Sequence, residues 1–341
     1  MSNNTLNVPV SVVIPAYNVE NYILESIYSL TNQSVKPKEI IVINDGSTDN
    51  TEKVVLEAFK GDSIVKVFSQ ENKGLGLARD YGVSLCAGDY IFCCDADDIV
   101  LPGLFEEFGN KLIENENMDM FCFSAELFYE SGIKEDKLCH HNSDWLENGL
   151  AAAFDLIDRG NYTAAVWTYI LKRKIIIDNT LQFSKRIHED HVFTMKAYLL
   201  SKVTYRTKEK FYSIRVRAGS LTRSKINIDF VANRLEAFNE ALAVLDSVKV
   251  CEGYEIGRIR AKYINSALFS LIDMCVSSFN YLPNIVLETI KTYRYNQSNS
   301  LKEMLLLRSP ALYFVIKKIF FTIKSNIDKG RFFAKRVIFF S

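Results

Sequence analysis

Residues 90–94 form an apolar, aromatic run that stops abruptly at Asp95-Ala96-Asp97-Asp98, and Pro102 closes the segment. A run of that length bounded by acids reads as a core strand of a parallel sheet. Ligands of open α/β sheets bind beyond the carboxyl ends of the strands. The acids therefore arrive where such a sheet does its chemistry. Asp95 and Asp97 are hard oxygen donors one residue apart on a turn. That pair suits Mg²⁺ or Mn²⁺ shared with a substrate phosphate, because Mg²⁺ usually takes only one or two protein carboxylates. The alternative is that Asp97 and Asp98 cap a helix beginning near Pro102.

The preceding segments alternate in the same way. Residues 10–14 and 40–43 are β-branched runs, and 65–68 is a third. Each is followed by a helical pattern, over about 19–30, from Ser47-Thr48-Asp49 through Val54 and Ala58, and over about 75–85. Strand and helix in alternation predict a doubly wound α/β sheet. Farther on, a helix is expected from Pro102 to about Glu116, a strand over 118–123 and a helix over 144–159 stopped by Gly160. A helix opens at His188-Glu189-Asp190-His191, and short strands are expected at 203–205 and 211–216. From about Ile226 long helical periodicities take over, so the domain boundary is expected at about 225. This gives a 1–225 domain and a 226–341 helical region.

Composition narrows the function classes. The formal net charge is zero, which gives no footprint for nucleic acid. Charge is uneven, however: from Leu301 onward nine Lys/Arg face two acids, a net +7. Seven cysteines without a C-x-x-C form neither a disulfide framework nor a zinc motif, and they suit a reducing cytoplasm. No signal peptide is expected from the short residue 8–14 run, which Pro9 interrupts. No run reaches the roughly 18 apolar residues that a span needs.

The strand ends carry groups suited to a nucleotide. Pro15-Ala16-Tyr17 places a ring after strand one, able to pack on a base. Asp45 follows strand two and can accept from a uracil N3–H, with Gly46 allowing a tight turn. Lys73 and Arg79 flank the next helix start and could neutralise phosphate. Neither G-x-x-x-x-G-K-[ST] nor a G-x-G-x-x-G after strand one is present, which disfavours Walker and dinucleotide chemistry. Taken singly, Asp45-Gly46 is a turn and the cations are solvated charges; their shared placement carries the reading.

Val-Ile-Pro-Ala-Tyr-Asn at 13–18, Ile-Asn-Asp-Gly-Ser-Thr-Asp at 43–49, Asn-Lys-Gly and Ala-Arg-Asp-Tyr-Gly within 72–82, Gly-Asp-Tyr-Ile through Asp-Ala-Asp-Asp at 88–98, and His-Glu-Asp at 188–190 occur in that order. As an ordered set they resemble family 2 glycosyltransferases of the GT-A fold, the group that builds bacterial surface polysaccharides. The resemblance covers about residues 8–220. It implies that Pro15, Tyr17 and Asp45 hold the uridine of a UDP-sugar, that Arg79 lies near the nucleotide, and that Asp95 and Asp97 bind Mg²⁺ or Mn²⁺, Asp97 the more directly. It implies Asp190 as catalytic base of an inverting transfer to a hydroxyl of a lipid-linked or oligosaccharide acceptor, in capsule, exopolysaccharide or lipopolysaccharide synthesis. Three departures stand out: Asp80 where the family usually has Asn, Asn44 where Asp is common, and Trp167-Thr168-Tyr169 without the family's Lys.

Some readings stay open on sequence. His188 and His191 are metal ligands or neutral supporting histidines. Arg215, Arg217 and Ser220 reach the diphosphate or stay solvated. The segment around Leu312, Phe314, Ile319 and Ile323 with Lys317, Lys318 and Lys324 lies on a membrane surface or packs against the protein. The first option implies a cytoplasmic enzyme peripheral on the inner face of the plasma membrane. A non-catalytic sugar-nucleotide-binding subunit and a nucleotidyltransferase remain as alternatives. The latter wants a Gly-rich basic loop, which residues 15–20 lack.

Overall fold

A computed structural model of the chain describes residues 7–217, 226–298 and 300–323. The first half alternates as β1 (Asn7–Ala16), α1 (Ile23–Thr31), β2 (Lys36–Asp45), α2 (Thr51–Ala58), β3 (Val65–Gln70), α3 (Leu75–Leu85) and β4 (Tyr90–Cys93). These strands lie parallel in the order β3-β2-β1-β4. β1 and β2 are buried along most of their length, because helices cover both faces; hence their near-continuous Val/Ile runs.

The second half extends the sheet with β5 (Ile99–Val100), β6 (Met120–Tyr129), β7 (Lys134–Leu138), β8 (Asp144–Leu146), β9 (Tyr169–Lys172) and β10 (Thr204–Val216). Helices α4 (Leu104–Glu114), α5 (Gly149–Asp158), α6 (Arg173–Asp178) and α7 (Asp190–Leu200) accompany them. β9 inserts antiparallel between β4 and β6, β6 runs parallel to β10, and β5 pairs antiparallel with β10. The expected doubly wound sheet is thus a mixed, ten-stranded one.

Three local expectations change. Residues 144–146 pair with β10 as strand β8, and the helix waits until Gly149, where the Asn148 side chain accepts from Ala151 N at 2.9 Å. The two strands expected at 203–205 and 211–216 are one strand. Register shifts between Arg206 and Tyr212 let its polar middle, Thr207 to Lys210, bulge without ending the pairing. Finally, α4 begins after Gly103 with no side-chain cap, so Asp97 and Asp98 do not serve as its caps.

Two compact units divide the chain: Met1–Ser220 with Ala243–Tyr254, and Leu221–Leu242 with Glu255–Ser341. In the first, Tyr254 returns to α5, its hydroxyl donating to Ala151 O at 3.1 Å. The second holds α8 (Ile228–Asp246, its first part), α9 (Ile256–Ser278), α10 (Asn284–Thr292), α11 (Leu301–Arg308) and a helix over 310–323. Phe238, Ile264, Leu268, Ile272, Leu306 and Phe314 are among its buried side chains.

α3 is the scaffold for the loop ahead of α7. A Cβ on Gly76 would lie 2.2 Å from Ser184 O, so only glycine admits that segment. One turn on, Asp80 accepts a hydrogen bond from Phe183 N at 3.1 Å. Burial pushes the Asp80 carboxyl up to about 6, with the Phe183 amide opposing. A carboxylate raised in this way stabilises the fold fully below its unfolded value near 4. That contribution is lost as pH rises through 6. Asparagine accepts the same bond without a charge. Asp80→Asn should therefore gain about 1–3 kcal/mol over wild type at pH 8, and the difference should fade near pH 4, read from urea midpoints. A loss of stability at pH 8 would show that the charge itself is used.

Candidate functional site

The ends of β1 and β2 are tied together before any ligand is considered. Asn18, in the left-handed region at φ +52°, accepts from Thr48 N at 2.8 Å, and its own amide donates to Ser47 Oγ at 3.1 Å. The loop with Pro15 and Tyr17 is therefore fastened to the one that follows Asp45. Tyr17 is 49% exposed, unusual for a residue directly after a core strand. Asp45 is buried, and its Oδ1 accepts from Gln70 Nε2 at 2.7 Å and Lys73 N at 2.9 Å. Its Oδ2 accepts from Gly74 N at 2.9 Å. A carboxylate has about four acceptor positions, so one remains on Oδ2. Gly46 next to it has φ +71°, and a Cβ there would meet Asn72 N at 2.7 Å; both facts require glycine.

Arg79 joins the remaining acids. It is buried, donating from Nη2 to Asp95 Oδ1 at 2.7 Å and from Nη1 to Glu189. Burial opposes its charge, but Asp95 and Glu189 outweigh this and hold the guanidinium above its ordinary value, with Asp190 adding to them. Asp190 opens α7 as the first helical residue, and no side-chain cap bond closes that helix end. His188 just before it sits at φ +67°, a conformation that costs a non-glycine residue on the order of 1–3 kcal/mol. The His188 and His191 rings meet edge-to-face at 5.9 Å.

Asp95 and Asp97 differ in their surroundings. Burial raises the Asp95 carboxyl, with Arg79 opposing and Asp97 and Glu189 adding. The Asp95 amide donates to Tyr212 Oη at 3.0 Å, and Tyr212 stacks flat on Trp167, centroids 4.9 Å apart. That gives Trp167 a structural purpose independent of the missing Lys. Asp97 Oδ2 accepts from Arg217 Nε at 2.6 Å, while Arg215 Nε donates to Asp97 O at 2.8 Å. Asp98 is buried and accepts from Arg215 N at 2.8 Å. Burial, then Asp95 and Asp97, drive its carboxyl well above the usual range.

The structure therefore brings Arg79, Asp95 and Glu189 into one cluster, with Asp190 next to Glu189 in sequence, Asp97 two residues beyond Asp95, and the Asp45–Tyr17 pair on the neighbouring strand ends. Ser220 lies outside the described residues. Two contacts went unread in the sequence: Glu189 as a partner of Arg79, and Arg217 as a partner of Asp97. Their sequence separations, 110 and 120 residues, leave no local signal. Lys73 donates its amide to Asp45 and lines a cavity with Tyr81 and Lys185.

Among the described residues no group of three His, Cys, Asp or Glu could hold a metal, so no closed protein cage exists. Asp95 and Asp97 each keep one carboxylate oxygen outside their arginine contacts. Two hard oxygens on a turn fit an ion that takes its remaining ligands from phosphate and water.

Known proteins agree with this architecture. The chain is 30% identical over 224 residues to a cholesterol galactosyltransferase of Borreliella burgdorferi, covering 63% of this chain and 62% of that protein. It is 26% identical over 274 residues to glycosyltransferase GlyG of Streptococcus pneumoniae, covering 75% of this chain and 85% of that one. Against glycosyltransferase GlyA of the same species the match spans only 31% of the relative, so the chain covers under two thirds of several curated relatives. Its fold matches the structure of S. aureus TarS 1-349 in complex with UDP-GlcNAc, with a TM-score of 0.68 and 22% identity, over 94% of this chain and 92% of that one. The mixed sheet and helical C-terminal region thus have the GT-A fold. The Glycosyl transferase family 2 model matches residues 11–181, half of the chain, and the protein belongs to that family.

Proposed function

We propose that the protein transfers a sugar from a UDP-sugar to a hydroxyl of a saccharide acceptor, inverting the anomeric centre, in bacterial surface-polysaccharide synthesis. Residues 1–225 carry the transfer and 226–341 form the accessory helical region. The observation that carries this reading is the Arg79 bridge, which links the acidic turn after β4 to Glu189-Asp190 at the start of α7. A UDP-sugar as donor is supported by the fold neighbour described in complex with UDP-GlcNAc.

Each residue's part follows from its surroundings. Tyr17 offers an exposed ring face to the uracil, and Pro15 shapes that loop. Asp45 accepts from uracil N3–H with its remaining Oδ2 position. Arg79 holds Asp95 in place and faces the diphosphate side of the cluster. Asp97 and Asp95 would hold Mg²⁺ or Mn²⁺, which when bound neutralises charge on the departing diphosphate. Asp190 accepts the proton of the acceptor hydroxyl. The hydroxyl oxygen forms the new bond to the anomeric carbon as the bond to the UDP oxygen breaks. UDP leaves on the opposite face, so configuration inverts.

The acceptor is proposed to be lipid-linked and the enzyme cytoplasmic, held at the inner membrane face by its C-terminal region. No helix among the described residues is long and apolar enough to cross a membrane. The helix over 310–323 has two distinct faces. Tyr313 and Phe314 are buried, Lys317 pairs with Asp273 at 2.7 Å, and Lys318 donates to the carbonyls of Val276 and Phe279 at 2.8 and 2.9 Å. Leu312, Val315, Ile319, Phe320 and Ile323 are all at least half exposed. An apolar stripe of that kind, followed in sequence by Lys324, Lys329, Arg331, Lys335 and Arg336, fits the interface of an anionic bilayer.

Incubation with a panel of UDP-sugars and Mn²⁺, with and without acceptor, tests the function by UDP release. No release with any donor would overturn it. Asp190→Asn should keep UDP affinity within about twofold while transfer falls roughly 10²–10⁴-fold, read by calorimetry and turnover. Full turnover removes Asp190 from the role of base. Ile319→Glu with Phe320→Glu should weaken flotation with anionic vesicles by roughly tenfold or more, since each apolar side chain is worth about 1.5–3 kcal/mol. Both positions are exposed, so folding is not at stake. Unchanged flotation would refute the membrane assignment.

A further inference from the structure

A cavity of about 450 Å³ is lined by Ser69, Gln70, Lys73, Leu77, Tyr81 and Lys185, a size typical of small-molecule sites. Its walls come from three places. The end of β3 supplies Ser69 and Gln70. One stripe of α3, at i and i+4 spacing, supplies Leu77 and Tyr81, with Lys73 a turn earlier. The segment leading to Asp190 supplies Lys185. Tyr17, Asp45, Arg79, Asp95, Asp97 and Asp190 are not among the lining residues.

The polar content of this cavity is one-sided. No carboxylate lines it. Among the described residues, the ammonium groups of Lys73 and Lys185 and the hydroxyl of Tyr81 have no hydrogen-bond or ion-pair partner. The acids that meet its walls, Glu52 and Asp45, are engaged by Ser69 Oγ and by Gln70 Nε2 and Lys73 N, so the two unpaired ammonium groups facing one concave space favour an anion. Leu77 adds an apolar wall, and the Tyr81 hydroxyl is available to a sugar hydroxyl, whereas Ser69 Oγ and Gln70 Nε2 already donate to Glu52 and Asp45. The frame is fixed on both sides. Gln70 donates to Asp45 at 2.7 Å, and Phe183 N donates to Asp80 at 3.1 Å two residues before Lys185. Ser184 O lies so close to Gly76 that no Cβ fits between them.

We propose that this cavity is a subsite for an anionic saccharide, a sugar bearing a phosphate or carboxylate group, with Lys73 and Lys185 gripping the anion. In assigning that group to the acceptor, this rests on the transferase reading: the donor diphosphate belongs with Arg79 and Asp95, whereas Lys185 stands on the segment that carries Asp190. The subsite would make the enzyme select acidic acceptors.

The test is calorimetric titration of the whole chain with glucose 6-phosphate, glucuronate and uncharged glucose, each with and without saturating UDP. One or both anions should bind with UDP present, and glucose roughly tenfold or more weaker. Lys185→Glu should weaken the anion by roughly tenfold or more, the scale of one lost charge-assisted hydrogen bond. It should leave UDP affinity within about twofold, and Lys185→Arg should restore anion binding. Which anion binds separates a phosphate from a carboxylate ligand. Displacement of the anion by UDP, wild-type binding by Lys185→Glu, or no anion binding while UDP still binds would each overturn the subsite. Failure to bind UDP at all counts against the transferase reading instead, and the anion titration without UDP then still decides the subsite.

Discussion

The buried guanidinium of Arg79 is the interaction on which the site depends. It sits between Asp95 at the end of the central sheet and Glu189 at the mouth of α7. A charge taken this far from water is tolerable only when it is paired and hydrogen-bonded. Removing it would leave buried Glu189 and half-buried Asp95 without their counter-charge, a loss on the order of 3–5 kcal/mol for a broken buried pair. The same bond that stabilises the fold thus fixes where the acids stand. It needs α3 close to the 183–189 segment, which is why Gly76 matters to chemistry it never touches.

The acids around this cation are not equivalent. Asp95, half-buried, is raised, and buried Asp98 stands well above the usual range, while Arg217 covers one oxygen of Asp97. Without further positive charge, carboxylates at such close quarters repel one another and resist ionising. A divalent ion reverses that balance, because its charge is the largest in any site that holds it. The arginines at the end of β10 are therefore counter-charges to the acidic turn, neither of the two roles, diphosphate contact or solvated charge, that sequence left open for Arg215 and Arg217 being needed to explain their contacts. They reach the acidic turn because β5 and β6 flank β10, and the register shifts at its middle set the phase of its last residues.

The sequence displayed the strand ends clearly and the cross-chain contacts poorly. Residues 90–98 show a core strand meeting acids because an unbroken apolar run gives way to carboxylates at one peptide bond. Asp45, Tyr17 and Asp190 were legible for the same reason: each follows or opens a regular element whose period can be counted. Glu189 was visible in His-Glu-Asp, yet nothing local told that its partner was Arg79. β8 hid inside an apparent helix because Asp144-Trp145-Leu146 is too short to show a period of two. β10 looked like two strands because a bulge carries its polar residues.

The C-terminal helix shows the same limit in another form. Counting charge left Lys317 and Lys318 open between a membrane surface and packing against the protein, and amphipathic pattern alone could not decide. In the fold, Lys318 serves α9, donating to carbonyls in its last turn where the helix leaves them without partners. Lys317 reaches an acid on the same helix. These two lysines are therefore bound to protein, and their attraction to anionic lipid is reduced accordingly. What the helix presents outward is the stripe from Leu312 to Ile323, apolar on a protein surface where large side chains usually occur singly. Any attraction to a bilayer must come from that stripe first, with the basic residues that follow it in sequence setting preference for an anionic surface.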